Sequence, residues 1–161
     1  PNMLLVSLAM FMTYYVMEPV FLAAWEAGVG PAIDGTVDLE TGFYRAMEPL
    51  RGFMLNRIDP ETYDTLATLR PDLPAGATMD EAGLGVIIPS FMISEMERAF
   101  QVGFIIFLPF LIIDLVVAAI LMSMGMMMVP PAVVALPFKL SFFVLADGWR
   151  LLTEGLVRSY F

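Results

Sequence analysis

Cysteine and histidine are both absent from these 161 residues. Without cysteine, disulfides and thiolate metal sites are excluded. Without histidine, the usual general base and the commonest transition-metal ligand are missing. No catalytic residue, metal ligand or cofactor is expected, and the chain is not read as an enzyme. Basic residues are also scarce, with eight Lys and Arg against seventeen Asp and Glu for a net charge of −9. With no basic patch to neutralise phosphates, nucleic acid is not an expected partner.

Charge of either sign nearly vanishes from Ala99 to Phe138, where Asp114 alone is ionisable as an acid or base. A lone carboxylate in so apolar a run costs about 2.5–3.5 kcal/mol to insert into lipid. The same run contains GMMMVPP at Gly125–Pro131, which sets a deformable methionine cluster against an enforced helix break. Over the whole chain 59% of residues are hydrophobic, and the mean hydropathy is +0.79. That lies well above the ~45–50% apolar content of soluble domains. These features predict a membrane-derived helical assembly that moves something, with room for three or four long helices.

The acidic excess is confined to one block. Fourteen of the seventeen acids lie between Glu18 and Arg98, where they face five arginines. Cytoplasmic loops beside membrane helices are normally rich in Lys and Arg, so this block sits more comfortably outside the cytoplasm. The plainer alternative is a solvated acidic loop with no partner. The apolar run from Pro1 to Met17 has no positive n-region and no convincing cleavage site, so it is not an intact signal peptide. The numbering is expected to start within a longer precursor.

Three stretches follow from this patterning. Residues 1–24 read as an apolar, transmembrane-type helix of about the ~20 residues a bilayer requires, bent near Pro19. Residues 25–88 form the acidic, helical, extracytoplasmic segment. In it Gly28, Gly30, Pro31 and Gly35 mark a loop. An amphipathic helix is predicted over Thr41–Asn56 and a second over Pro60–Leu69, with Asp59 as its cap. Residues 71–85 are expected to be irregular. The segment from about Ala27 to Gly85 is expected to be largely helical in isolation and to supply subunit contacts early in assembly.

Residues 89–161 read as a long kinked helical hairpin. Ser90 or Ser94 caps a first helix with Glu95 and Glu97 in its opening turn. That helix bends at Pro109 and runs to about Met124. Gly125–Pro131 makes the break. A last helix runs from near Ala132, kinked at Pro137, past Lys139 to about Leu156. The fold class is all-α: long kinked apolar helices forming hairpins, with a small helical acidic segment.

Asp114 and Lys139 are the charges that need a reason. A hairpin with a flat loop at Gly125–Pro131 places them at depths differing by only ~4–5 Å, within reach of a lysine stem. Helices running right up to Pro130 would instead offset them by ~12 Å and prevent pairing inside the hairpin. Two roles stay open: a structural ion pair within or between subunits, and a proton- or ion-responsive element beside a wet path. Met126, Met127 and Met128 likewise admit two readings. Methionine usually fills gaps in a core, yet three in succession cannot all face one side of a helix. At a Gly/Pro-bounded break some must enter a loop or lumen, where a ring of them would make a soft, adaptable seal.

The motifs converge on one family. PSFMISEMERAFQVG (Pro89–Gly103, with Glu95, Phe100 and Gly103), FLPFLIIDLVVAAIL (Phe107–Leu121), MGMMMVPP (Met124–Pro131) and ALPFKLSFFVLADGW (Ala135–Trp149) closely resemble the FliP family of flagellar type III export proteins. LAMFMTYYVMEPV (Leu8–Val20) and PLRGFML (Pro49–Leu55) match it as well. The homologous SctR proteins of injectisomes share PFLIIDLV and LPFKL, but GMMMVPP looks more like the flagellar branch. Family members carry a signal sequence and more apolar chain before the equivalent of Pro1, so the chain resembles the C-terminal majority of such a protein.

The resemblance implies a core subunit of the export gate at the flagellar base, in the bacterial inner membrane, with residues 25–88 on the periplasmic side. About five copies would join FliQ- and FliR-like partners in a helical ring around a secretion pore. FlhB- and FlhA-like proteins would connect to it, and unfolded rod, hook and filament subunits would pass through. Met126, Met127 and Met128 would form a gasket in the pore. Much of the apparent membrane helix would be raised out of the lipid and packed on neighbours, which explains an overlong, proline-bearing element. Two other classes remain: an ion or small-molecule transporter subunit coupled through Asp114, and an intramembrane enzyme restricted to serine, carboxylates and Lys139.

Overall fold

The computed structural model describes residues 1–74 and 76–161, and among them every regular element is helical. By internal contacts the chain divides into two compact units, Pro1–Arg98 and Ala99–Phe161.

The first unit opens with α1 (Asn2–Ala24), which passes through a widened π turn at Trp25–Val29 into the short α2 (Gly30–Ile33). The helix therefore runs unbroken past Gly28, Gly30 and Pro31, and the loop expected there is corrected. The π turn just before Pro31 leaves room for a ring that would otherwise strike the carbonyl four residues back. Gly28 is buried because backbone meets backbone: a Cβ on it would come within 2.0 Å of the Gly42 carbonyl of α3 (Leu39–Leu55). Gly42 is equally constrained, with Ala32 Cβ 2.6 Å from where its own Cβ would lie. These small residues make the crossing of the first helix with α3, whose start is capped by Asp38 accepting from the Thr41 amide.

The start of α4 (Pro60–Thr68) follows the sequence rules, with Asp59 accepting from the Thr62 amide and Pro60 in the first turn. Beyond it the backbone is irregular, and side chains secure it. Arg51 Nη2 donates to the carbonyls of Asp80 at 2.5 Å and Ala82 at 3.1 Å, and the Tyr63 hydroxyl donates to that of Ala77. The core of this unit gathers Ile58, Tyr63, Ala82, Val86 and Ile87, flanked by Met54, Leu66, Leu73 and Phe91.

Val86 and Ile87 belong to α5, which spans Leu84–Ser123. The helix thus starts before Pro89, and capping by Ser90 or Ser94 is corrected. Both serines are buried inside it, and their hydroxyls donate to the carbonyls of Val86 and Ser90. Ser94 also accepts from the Asp59 amide, which ties α4 to α5. Glu95 and Glu97 are consequently mid-helix residues.

In the second unit, α5 from Ala99 onward is followed by α6 (Pro131–Leu145) and α7 (Gly148–Arg158). The expected single last helix is corrected: Asp147 adopts φ 52°, ψ 48°, and α6 and α7 meet at 59°. Val117, Leu121 and Ala135 form the small core, with Ile113, Val129 and Val134 packed around it. Asn2–Ile33 and Leu84–Ser123 are long and apolar enough to cross a membrane, and α6 with α7 qualifies only as a bent pair.

Candidate functional site

The hairpin tip is built by two opposite rules of helix ending. At the end of α5 the chain turns through Gly125, whose φ of 74° favours glycine. The Met126 amide bonds the Leu121 carbonyl at 2.9 Å and the Gly125 amide bonds that of Met122 at 3.1 Å. These are the paired bonds of a Schellman ending. On the other side Pro130 is extended and Pro131 occupies the first turn of α6, where its missing N–H costs nothing. Between them Val129 is half-buried against the small core. The methionines face outward: Met126 is 41%, Met127 84% and Met128 97% exposed. Among the described residues almost nothing covers Met127 and Met128.

Behind the tip lies the ion pair. Lys139 Nζ donates to Asp114 Oδ2 at 2.6 Å, and both side chains are half-buried. The geometry follows from the loop, since α5 stops at Ser123 and α6 starts at Pro131, leaving the two residues at matched depths. Asp114 Oδ1 is buried and has no hydrogen-bond partner among the described residues. An apolar groove of about 390 Å3 lies between the pair and the tip, lined by Ile113, Val117, Leu121, Val134 and Phe138 among others. Pro109 and Pro137 both lie inside continuous helices. On the far side of the pair, Phe110 meets the rings of Phe142 and Phe143 at 5.9 and 6.3 Å.

The remaining motif residues are not gathered at this site. Glu95 belongs to the first unit, where its Oε1 accepts from Arg57 Nε and Arg98 Nη1, each at 2.7 Å. Phe100 is exposed, and a Cβ on Gly103 would meet open space. Sequence reasoning missed the Arg57–Glu95 pair and the Arg51 clamp, because arginines in an acidic block carry no spacing signal for partners 28–38 residues away, and it also passed over Glu95–Arg98, whose i,i+3 spacing was a readable signal. Among the described residues no group of three or more His, Cys, Asp or Glu is arranged to hold a metal ion.

Helices alone among the described residues, two of them long and apolar enough to cross a bilayer, define an all-α protein of the membrane class. Comparison with known proteins carries this further. The sequence matches the FliP family over residues 1–156. It is 49% identical to the flagellar biosynthetic protein FliP of Caulobacter vibrioides, over 99% of this chain and 60% of that protein. Identity to the Rhizobium meliloti protein of the same name is 46%, over 99% and 65%, and to the Bacillus subtilis one 40%, over 99% and 72%. The chain belongs to the FliP family. It spans 60–65% of the length of the first two of these relatives.

Proposed function

We propose that this chain is a pore-forming subunit of the flagellar type III protein export gate in the bacterial inner membrane. Several copies, about five, assemble with FliQ- and FliR-like partners, and FlhB- and FlhA-like proteins connect to the ring. Unfolded axial proteins of the flagellum are the cargo. The acidic stretch of residues 25–88 faces the periplasm, in keeping with its deficit of cations. No residue is assigned a catalytic role.

One observation carries this reading within the family: Met126, Met127 and Met128 stand exposed on a tip that is otherwise fixed by Gly125, Val129 and Pro130. Unbranched thioether side chains conform to irregular surfaces. A ring of such tips closes against hydrated ions by dewetting yet yields to a polypeptide of varying side chains. The Asp114–Lys139 pair holds the two helices in register behind the tip, and Pro109 and Pro137 set their bends.

The test is ion leak through the assembled complex in vesicles. Replacing Met126, Met127 and Met128 together by alanine is expected to raise leak, while the volume-conserving leucine variant keeps most of the seal. An alanine variant as tight as the parent overturns the gasket reading. The buried, unpartnered Asp114 Oδ1 favours a second reading, a carrier coupled through that carboxylate. It predicts that Asp114→Asn abolishes transport while the methionine variants remain active. Particle mass measured with and without the partner proteins tests the assembly itself.

A further inference from the structure

Nearly every cation in the chain is engaged within it. Of the eight basic residues, Arg51 donates to backbone carbonyls, Arg57 and Arg98 share Glu95, and Arg70 holds Asp72. Lys139, Arg150 and Arg158 pair with Asp114, Asp147 and Glu154. Arg45 alone, exposed on α3, meets no acid, carbonyl or ring among the described residues. An unengaged cation stands out in a chain of net charge −9. Glu48, one turn further on, does not answer it, and an acid placed after its base is the weaker order on a helix.

The rotation of α3 about its own axis is fixed by the first helix. Gly28 lies against Gly42 and Ala46, so those two residues mark the inward side. Counted from Gly42 at about 100° per residue, Phe43 and Glu40 fall at about 100° and 160°, and Arg45 at about 300°. Arg45 therefore occupies one flank, Phe43 and Glu40 the other, and Tyr44 points outward between them. Glu40, Phe43 and Tyr44 are exposed as well, and the two rings meet edge-on at 6.0 Å. The Glu40 carboxylate, too, has no ion-pair partner among the described residues.

We infer that a second copy of this chain covers this part of α3, the Arg45 flank of one copy seating on the Glu40, Phe43 and Tyr44 flank of the next. The contact rests on the copy assembly proposed above and adds its location and chemistry. Two features commit the occupant to a like chain. The flanks are complementary in charge and unlike one another, which is what a closed ring demands, since rotation joins unlike surfaces head to tail. They also lie at one depth: five residues of helix span about 7.5 Å, within reach of an arginine, so rotation about a common axis brings Arg45 level with the carboxylate and the rings. There the guanidinium lies over an aromatic face while it pairs with Glu40. An exposed ion pair is worth little by itself, so the covered rings carry most of the gain.

The test uses the full-length protein, produced together with its FliQ- and FliR-like partners in two differently tagged forms. One form carries the photo-reactive substitution Arg45→p-benzoylphenylalanine. Ultraviolet light is expected to join it to the other form through residues 39–44, located by peptide mass spectrometry. Adducts only to a partner protein, only to position 45 of the second copy, or to nothing in a particle of parental mass would overturn the contact while leaving the assembly standing. A parent chain that forms no multi-copy particle with its partners overturns the assembly and the contact together. Separately, Arg45→Glu is expected to lower the yield of assembled particle at least about threefold, and adding Glu40→Arg to the same chain to restore it. Unchanged yield on reversal, or a double variant no better than Arg45→Glu, would overturn the ion pair.

Discussion

The two units keep their apolar side chains in different ways. In Pro1–Arg98 the stretch around α4 closes on itself, with Tyr63 2% and Ile87 0% exposed and irregular backbone pinned by Arg51 and Tyr63. In Ala99–Phe161 only Val117, Leu121 and Ala135 are buried, while Phe104, Ile105, Leu115, Phe138 and many others stand open. The first stretch gains its stability from water. The second has too little internal burial to do so and depends on what surrounds it, whether lipid or other chains. Its internal order comes instead from a few specific devices: a Schellman turn, one ion pair and an aromatic clamp.

The sharpest way to break this contrast is to cut the acidic stretch in two places. A fragment from residue 27 to residue 98 is expected to melt cooperatively, followed by circular dichroism. One stopping at residue 85 loses Val86, Ile87, Ser90 and Ser94 from its interior and is expected to lose the cooperative transition. Next in size, Tyr63→Ala in the longer fragment is expected to cost about 3–5 kcal/mol by denaturant unfolding, the range for emptying a large aromatic site. A loss under about 1 kcal/mol would mean that this core is not what holds the unit.

In the hairpin the corresponding probe is a double-mutant cycle. Lys139→Met alone is expected to destabilise the protein by about 1.5–3 kcal/mol, since it strands Asp114, and adding Asp114→Asn should restore much of that. Independent, additive losses would show that the 2.6 Å contact carries no coupling. The smallest expected effect is electrostatic and lies at the surface. Hydrogen bonding from Arg70, before any other cause, lowers the Asp72 carboxyl from the ordinary 3.8 to about 2. A depressed carboxylate contributes stability above its ordinary pKa and loses it as pH falls toward the folded value. The contribution of this pair should therefore be complete above pH 3.8 and fade toward about 2. Carboxyl NMR titration should show Arg70→Gln returning Asp72 to the ordinary range.

Local chemistry made part of this fold legible from sequence. Asp59 and Pro60 announce α4 because cap and first-turn preferences act within four residues. The hairpin break was legible because Gly125 and Pro130–Pro131 are incompatible with uninterrupted helix. Illegible were the places where packing overrides the same signals. Gly28 and Gly30 look like loop residues, yet Gly28 serves a contact with α3 inside a helix. Ser90 and Ser94 look like caps, yet their hydroxyls are spent on carbonyls of their own helix. Asp147–Gly148 is a turn-type dipeptide that the expectation of one last helix passed over, and the close approach of the Phe143 ring to Gly148 lies in the packing alone. At the site itself, residue types pointed to the methionines and to the charged pair, whereas the unpartnered Asp114 Oδ1 belongs to three-dimensional geometry alone.

The Gly28–Gly42 crossing has a mechanical consequence. Where two main chains touch directly, no rotamer stands between them to absorb a displacement, and the close fit leaves neither helix room to slide without unseating the other. A push on the first helix would therefore reach α3 (Leu39–Leu55) directly through main-chain contact at the π turn, with no side chain in between to yield first.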